Sequence, residues 1–412
     1  MMAAFPAFAE PAVLTRGPYL QNATQHSIVI RWRTDVAEVG SVRYGVSPDA
    51  LANVVSDTAA TTEHELQISN LPPDIAYLYA IGNAEGNLAG PDNEHWFRTL
   101  PVPGTVQPVH VWVIGDSGTG GDGSGRAESV RDAYTNSPQF AQNDVWLMLG
   151  DNAYQSGMDI EFQHAVFETY SSLLPHTRLW PAVGNHESYS VGAAPYFANF
   201  TMPTNGEAGG VASGTEHYYS FDYANIHFVC LDSILSSRTP GSPMLTWLAS
   251  DLAATVQPWI IAYWHHPPYS HGTHDSDTES ELIEMRENVV PILESYGVDL
   301  VLTGHSHGYE RSFLIDGHYG DSTTFAVPMK KNGGDGRESG GGAYAKVAEA
   351  HAGAVYVVAG NAGQNGGVAP HPAMFTQIDV LGSLVLDVNG GRLDAKMIDN
   401  TGAVRDFFTI KK

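Results

Sequence analysis

Five apolar runs of this chain stop in the same way, each giving way to a glycine-rich turn or to side chains that can bind a cation. VWVIGD ends at Asp116, VWLMLGD ends at Asp151 with Tyr154 three residues on, and WPAVGNHE holds Asn185 and His186. IIAYWHHPPY holds His265 and His266, and VDLVLTGHSHGYER holds His305 and His307. Runs this continuously apolar suit strands covered on both faces. Strands are expected at 110–114, 144–149, 179–183, 226–231, 259–264 and 299–302, with helices near 126–134, 159–174 and 279–295. That alternation is α/β, and in such a sheet the residues just past the carboxyl ends of the strands converge on one crevice. Asp, Asn, His and Tyr from distant parts of the chain would gather there, and together they make a metal site.

The number of donors argues for two ions. Asp116, Asp151, Tyr154, Asn185, His265, His305 and His307 are too many for one tetrahedral or octahedral ion that must keep a position open. Two ions sharing Asp151 would use them all. A pair of metals about 3.5 to 4 Å apart can hold a bridging hydroxide and clamp the attacking and leaving oxygens of an in-line displacement at phosphorus.

The first hundred residues read differently. Residues 27–33 (SIVIRWR) alternate, with Ile28, Ile30 and Trp32 on one face, and 41–44 and 63–68 repeat the two-residue period. Residues 71–81 (LPPDIAYLYAI) open on a Pro-Pro turn and continue with Ile75, Tyr77 and Tyr79 in alternate positions, where a fibronectin type III sandwich puts its corner tyrosine. A β-sandwich over residues 11–100 is expected, then a linker marked by Pro101, Pro103, Gly104 and Pro108, with the catalytic domain running over 101–412. Residues 1–10 form a tail in which Ala7-Phe8-Ala9 has the form of a signal-peptidase site without the basic start of an intact signal, so a secreted or periplasmic location is expected.

Composition narrows the partners. Lys and Arg total 20 against 45 Asp and Glu, a net charge of −25, which repels nucleic acid and anionic membrane surfaces. No run of apolar residues is long enough to span a bilayer. The single cysteine, Cys230, lies in HFVCL, where a buried core thiol is expected and no disulfide within the chain can form.

The ordered set GDSG, GDNAY, GNHE, HHPP and GHSH resembles the calcineurin-like metallophosphoesterases, and its details resemble the purple acid phosphatases among them. The broad superfamily has His two residues after its first Asp. Here Gly118 stands in that place and Tyr154 follows Asp151 by three, as in the purple acid phosphatases. HGYER at 307–311 and TWL at 246–248 agree further, and the amino-terminal sandwich matches the fibronectin-like domain of plant-type members. The resemblance implies an α/β/β/α sandwich catalytic domain behind a fibronectin type III-like one. It implies a ferric first ion on Asp116, Asp151, Tyr154 and His307, and a second ion, iron, zinc or manganese, on Asp151, Asn185, His265 and His305.

In that family Tyr154 would be the source of colour, through phenolate-to-Fe(III) charge transfer. The family's His-x-Pro spacing favours His265 over His266, although the doublet leaves the pair open. His186 would contact the phosphate and the leaving group. His274 stands where plant members keep a further histidine, with His271 as a rival. The implied activity is hydrolysis of phosphomonoesters, small phosphate esters, by a metal-bound hydroxide. A phosphodiesterase or nucleotide-directed member of the superfamily is the alternative of the same chemistry, and a non-catalytic binding module the alternative of another class.

Other features have plainer readings. His64, His95, His110 and His227 have no motif around them and are expected to be structural. Glu187 and Glu310 read equally as carboxylates that orient site groups or as exposed ones. The glycine-rich segments 118–125, 206–214 and 333–342 are expected as surface loops. The first lacks the Lys of a P-loop, and Lys330 and Lys331 before the last are candidates for touching substrate.

Overall fold

The computed structural model describes residues 12–48, 50–138 and 143–412, so the Ala7-Phe8-Ala9 pattern lies outside the described residues. The amino-terminal region is all β. Leu14–Gln21, Ile28–Glu38 and Thr61–Ile68 form a three-stranded antiparallel sheet. Asn53–Ser56, Ser41–Gly45, Ala76–Gly82, Asn87–Ala89 and Trp96–Arg98 form a second. Alternation turns Ile28, Ile30, Trp32, Leu66 and Ile68 inward, where they share a core with Val42, Tyr79, Ile81 and Phe97 from the other sheet. This is the layout of the fibronectin type III-like sandwich expected from the sequence. The corner-tyrosine expectation is modified, since Tyr79 is buried but its hydroxyl donates to the carbonyl of Pro175, 2.8 Å away in the following domain.

The rest of the chain builds two seven-stranded mixed sheets. In the first, Leu179–Pro181, Val145–Met148 and Val109–Ile114 run parallel, Gly382–Asn389, Arg392–Asp399 and Val404–Lys411 continue it antiparallel, and the short Tyr344–Ala345 closes the edge parallel to the last of these. In the second, Ile226–Cys230, Trp259–Trp264, Leu300–Thr303 and Val355–Ala359 run parallel, with Tyr219–Tyr223, Tyr309–Ser312 and Met374–Ile378 antiparallel to their neighbours. The strands expected from the ligand motifs therefore divide between two sheets.

The burial pattern shows how the layers stack. Phe228, Cys230, Ile261, Tyr263, Leu300, Leu302, Val355 and Val357 join the first sheet's Val111, Val113, Leu384 and Leu386 in one core. Their alternates Val229, Ala262, Trp264, Val301 and Val358 join Leu245, Leu248 and Leu252 of helix Pro243–Ala254 and Val290 and Leu293 of helix Val290–Ser295 in another. On the outer face of the first sheet Trp112 stacks on Tyr134 of helix Arg126–Thr135, with ring centroids 4.3 Å apart. The result is the α/β/β/α sandwich. Cys230 is buried and free, between the sheets.

Two of the three helix expectations need correction. The segment expected as one helix over 159–174 is α-helical at Asp159–Phe162, widens to a π turn at Gln163–Glu168 and then breaks into turns. Thr169 accounts for the widening, because both its N–H and its hydroxyl bond the carbonyl of His164, five residues back. The expected helix over 279–295 is wound as Ser280–Glu284, a π turn at Met285–Val289 and Val290–Ser295. Pro291, which has no N–H to give the preceding turn, is the second residue of the last piece.

Candidate metal centre

The candidate ligands stand where parallel strands of both sheets end. Asp116 and Asp151 follow Val109–Ile114 and Val145–Met148, Asn185 and His186 follow Leu179–Pro181, and His265 and His305 follow Trp259–Trp264 and Leu300–Thr303. The turns that aim them are tight. Asp116, Asp151 and His305 all have positive φ, 57°, 52° and 67°, conformations that non-glycine residues keep only when their surroundings enforce them. Gly184 shows how close the loops come, since a Cβ there would lie 2.1 Å from the backbone N of Asp151.

Glu187 ties two of these loops together. Its buried carboxylate accepts N–H bonds from Asp151 (3.0 Å), Asn152 (2.7 Å), Ala153 (3.1 Å) and Gly184 (2.6 Å). Burial, and after it Asp151, pushes its pKa up, while the N–H donors favour the ionised form. Glu310 is also buried and accepts from Ser270 Oγ (2.5 Å), His271 N (3.3 Å) and Gln377 Nε2 (2.7 Å). Both glutamates therefore orient the site's loops rather than face solvent.

The donors form two adjoining groups. In one, Tyr154 Oη lies 3.2 Å from Asp116 Oδ1 and 3.4 Å from His307 Nε2, which is itself 3.6 Å from Asp116 Oδ1. In the other, His265 Nε2 lies 2.9 Å from Asn185 Oδ1, 3.2 Å from His305 Nδ1 and 3.4 Å from Asp151 Oδ1. Ligand atoms of Asp151, His265 and His305 all fall within 4.8 Å of one another. The histidine doublet is turned so that His265 faces this group, whereas His266 is buried with Nδ1 3.0 Å from Ser233 Oγ.

The charge balance fits cations. Among the ion pairs of the described residues, Asp116 and Asp151 meet only histidines, never Lys or Arg. Burial alone would lower the pKa of His265, but Asp151 and Asp116 outweigh it and hold the ring up at about 9. Burial, then Asp116, drives the phenol of Tyr154 well above its usual range. Burial brings His305 down to about 4, leaving a neutral ring with a lone pair to offer. Buried carboxylates that force protons onto their neighbours are an environment a multivalent cation would neutralise.

His186 and His274 stand beside these groups. His186 Nδ1 must donate to the Gln155 carbonyl, 2.7 Å away, which leaves Nε2 facing the site, 3.8 Å from Asp151 Oδ2. His274 and His271 are placed differently. The His274 ring lies 3.7 Å from that of His305, while His271 is exposed with Nδ1 3.1 Å from the Pro370 carbonyl. Glu279, which no motif marks, lies 3.0 Å from His274 Nδ1 and 3.2 Å from His305 Nε2. Its only trace in the sequence is a place in the acidic stretch HDSDTESE.

The lysines before the last glycine-rich segment are engaged elsewhere. Lys330 sits over the Phe313 ring at 3.8 Å and Lys331 pairs with Asp316 at 3.2 Å. His227, expected to be structural, is buried between Asp222 and Asp251, 2.8 Å from each.

Residues 109–309 match the calcineurin-like phosphoesterase family. Purple acid phosphatase 15 of Arabidopsis thaliana is 30% identical over 280 residues, 60% of this chain and 49% of that protein. Probable purple acid phosphatase 20 of the same plant is 28% identical over 331 residues, 74% of this chain and 70% of that one. The chain thus spans about half the length of the first of these relatives. Among solved structures, purple acid phosphatase PPD1 from yellow lupin (Lupinus luteus) superposes with a TM-score of 0.76 at 19% identity, covering 96% of this chain and 74% of that one. PhoD superposes with a TM-score of 0.66 at 15% identity, covering 99% and 92%.

Proposed function

Because this chain belongs to the calcineurin-like phosphoesterases through residues 109–309 and is a homologue of purple acid phosphatases, we propose that it is a dinuclear metallophosphatase that hydrolyses phosphomonoesters to inorganic phosphate. The observation that carries this reading is the pair of adjoining donor groups around Asp116 and Asp151, which no Lys or Arg among the described residues pairs with. Asp116, Asp151, Tyr154 and His307 would hold a ferric ion, and Asp151, Asn185, His265 and His305 an iron, zinc or manganese ion. Once bound, such a pair of cations would lower the pKa of a water so that it can give up a proton and serve as the nucleophile at phosphorus, and would supply positive charge for the phosphoryl oxygens.

The chain's own residues do the rest. His186, its Nδ1 proton fixed on the Gln155 carbonyl, presents Nε2 to the leaving oxygen and in its protonated form donates a proton there. His274, held at Nδ1 by Glu279, presents its other nitrogen to a phosphate oxygen. We assign residues 11–100 to the sandwich and 101–412 to the catalytic unit, where every proposed donor lies. The Ala7-Phe8-Ala9 pattern supports a secreted or periplasmic location.

A monoester leaves more negative charge for the cations, His186 and His274 to bind than a diester does. We expect kcat/KM for an aryl phosphate monoester to exceed that for the matching diester by at least about tenfold, which requires about 1.4 kcal/mol of differential stabilisation. His186→Ala should lower kcat by roughly 100-fold with both metals retained. Equal or better turnover of the diester, or an unchanged kcat for His186→Ala on an alkyl phosphate, would move the assignment to a phosphodiesterase or nucleotide-directed enzyme.

A further inference from the structure

Tyr189 ends the short helix Asn185–Ser188 and stays 62% exposed, although two contacts fix it against the candidate site. Asn185 Oδ1 is turned toward His265 Nε2 at 2.9 Å, so the amide's Nδ2 faces the other way and donates to Tyr189 Oη at 3.2 Å. The ring itself meets His186 with centroids 5.0 Å apart and planes at 60°. On another side His186 meets Tyr154, with centroids 4.6 Å apart at 86°. Of the two tyrosines, Tyr154 is buried among the metal donors, and Tyr189 is the one that offers ring surface to solvent beside the imidazole.

We infer that Tyr189 is a specificity residue of this site, whose ring is a stacking shelf for the leaving group, and that the preferred substrates are phosphomonoesters of alcohols carrying an aromatic ring close to the ester oxygen. This rests on the phosphomonoesterase reading, in which the leaving oxygen sits at His186 Nε2. A group leaving along that line passes beside Tyr189. Aromatic pairs in offset or edge-to-face contact gain more than their buried area alone supplies. The hydrogen bond from Asn185 holds the ring in place before substrate arrives, so little freedom is lost on binding. An aliphatic leaving group meets the same surface without that gain.

The test compares benzyl phosphate with ethyl phosphate, both of which release an aliphatic alcohol, so the chemistry of the leaving oxygen is nearly matched. Metal content is measured on every protein. In the metal-loaded enzyme the benzyl ester should be favoured in kcat/KM, and Tyr189→Leu should reduce the benzyl-to-ethyl ratio about fivefold, chiefly through KM for the benzyl ester. Tyr189→Phe keeps the ring and should keep the ratio, and Tyr189→Trp enlarges the ring and should keep or raise it. An unchanged ratio in Tyr189→Leu with both metals bound overturns the inference, as does a fall in Tyr189→Phe equal to that in Tyr189→Leu. If Tyr189→Leu does not retain its metals, the Trp variant decides, and a ratio lowered by Trp overturns the shelf. Turnover of neither ester by the metal-loaded parent protein would instead overturn the phosphomonoesterase reading.

Discussion

Glu279 lies 3.2 Å from Nε2 of His305, on the side of the imidazole opposite the nitrogen that faces His265. A carboxylate there accepts the Nε2 proton and so fixes Nδ1 as the nitrogen that offers a lone pair to the site. The same carboxylate holds Nδ1 of His274 at 3.0 Å, so one side chain orients a candidate ligand and a candidate phosphate contact. Partners of this kind typically contribute 10- to 100-fold to metal affinity. Glu279→Gln should therefore lose the second metal at a free-metal concentration roughly tenfold higher than the parent protein does, and kcat should be restored by added metal. Metal analysis after equilibrium dialysis reads this directly, and an unchanged occupancy curve would show that His305 is oriented without Glu279.

Tyr154 gives a spectroscopic prediction. In the chain alone burial, followed by Asp116, keeps its phenol protonated well above the usual range. A ferric ion bound against Oη would reverse that and produce a broad visible phenolate-to-Fe(III) band. The iron-loaded protein should be coloured. Tyr154→Phe should lose the band while keeping most of its metal through Asp116, Asp151 and His307. A colourless, fully active protein holding only zinc or manganese would contradict the ferric assignment while leaving a two-metal site in place.

The geometry explains which parts of this molecule were readable from sequence. Asp116, Asp151, Asn185, His186 and His305 were legible because each follows an apolar strand and a glycine-marked turn, and His265 because it follows an apolar strand directly and stands before a Pro pair, so the local chain carries the signal. Glu279 was not, because it sits among the polar residues of a loop and gains its meaning only when the fold brings His305 from the end of another strand to it and to His274 of its own loop. The strands Gly382–Asn389, Arg392–Asp399 and Val404–Lys411 complete the first sheet but carry no ligand motif. Their alternation, with Leu393, Ala395 and Met397 buried, was available to a period-two reading, whereas their place beside Val109–Ile114 follows only from the fold. The π turns escaped because one added residue per turn leaves almost no mark on an apolar period.

The sandwich is joined to the α/β/β/α part of the chain through buried contacts that a boundary drawn in sequence does not show. Tyr19 packs on Phe167 with centroids 4.8 Å apart, and Arg16 lies over the same ring at 4.2 Å. Arg16 and Arg33 both pair with Asp159, at 3.0 and 2.7 Å, and hold its carboxyl below the usual range against the opposing effect of burial. A chain begun at Val106 would expose Phe167 and leave Asp159 without either arginine. It should aggregate more readily than the full chain, and its soluble, folded fraction should still hold two metals, since every candidate donor follows residue 110. A well-folded truncate whose metal analysis gave fewer than two ions would mean that the sandwich supplies a ligand.

His227 gives a pH-dependent prediction away from the metals. Its ring is buried, with Nδ1 2.8 Å from Asp222 and Nε2 2.8 Å from Asp251, and Asp251 also accepts from Ser220 Oγ at 2.9 Å and Val211 N at 2.7 Å. Burial by itself lowers the imidazole's pKa, but the two carboxylates outweigh it and raise it to about 9. The folded value then lies above the unfolded one of about 6.5, so folding is favoured by the protonated ring. The contribution, roughly 3 kcal/mol from this difference, is fully present below pH about 6.5 and is lost as the pH rises through about 9. His227→Gln removes the titrating group while keeping a polar side chain between the two aspartates. Below pH 6.5 the variant should melt lower than the parent, and the gap should narrow steadily between pH 7 and pH 10. Melting curves collected across that range test it, and a gap of constant size would mean that the imidazole between Asp222 and Asp251 stays neutral.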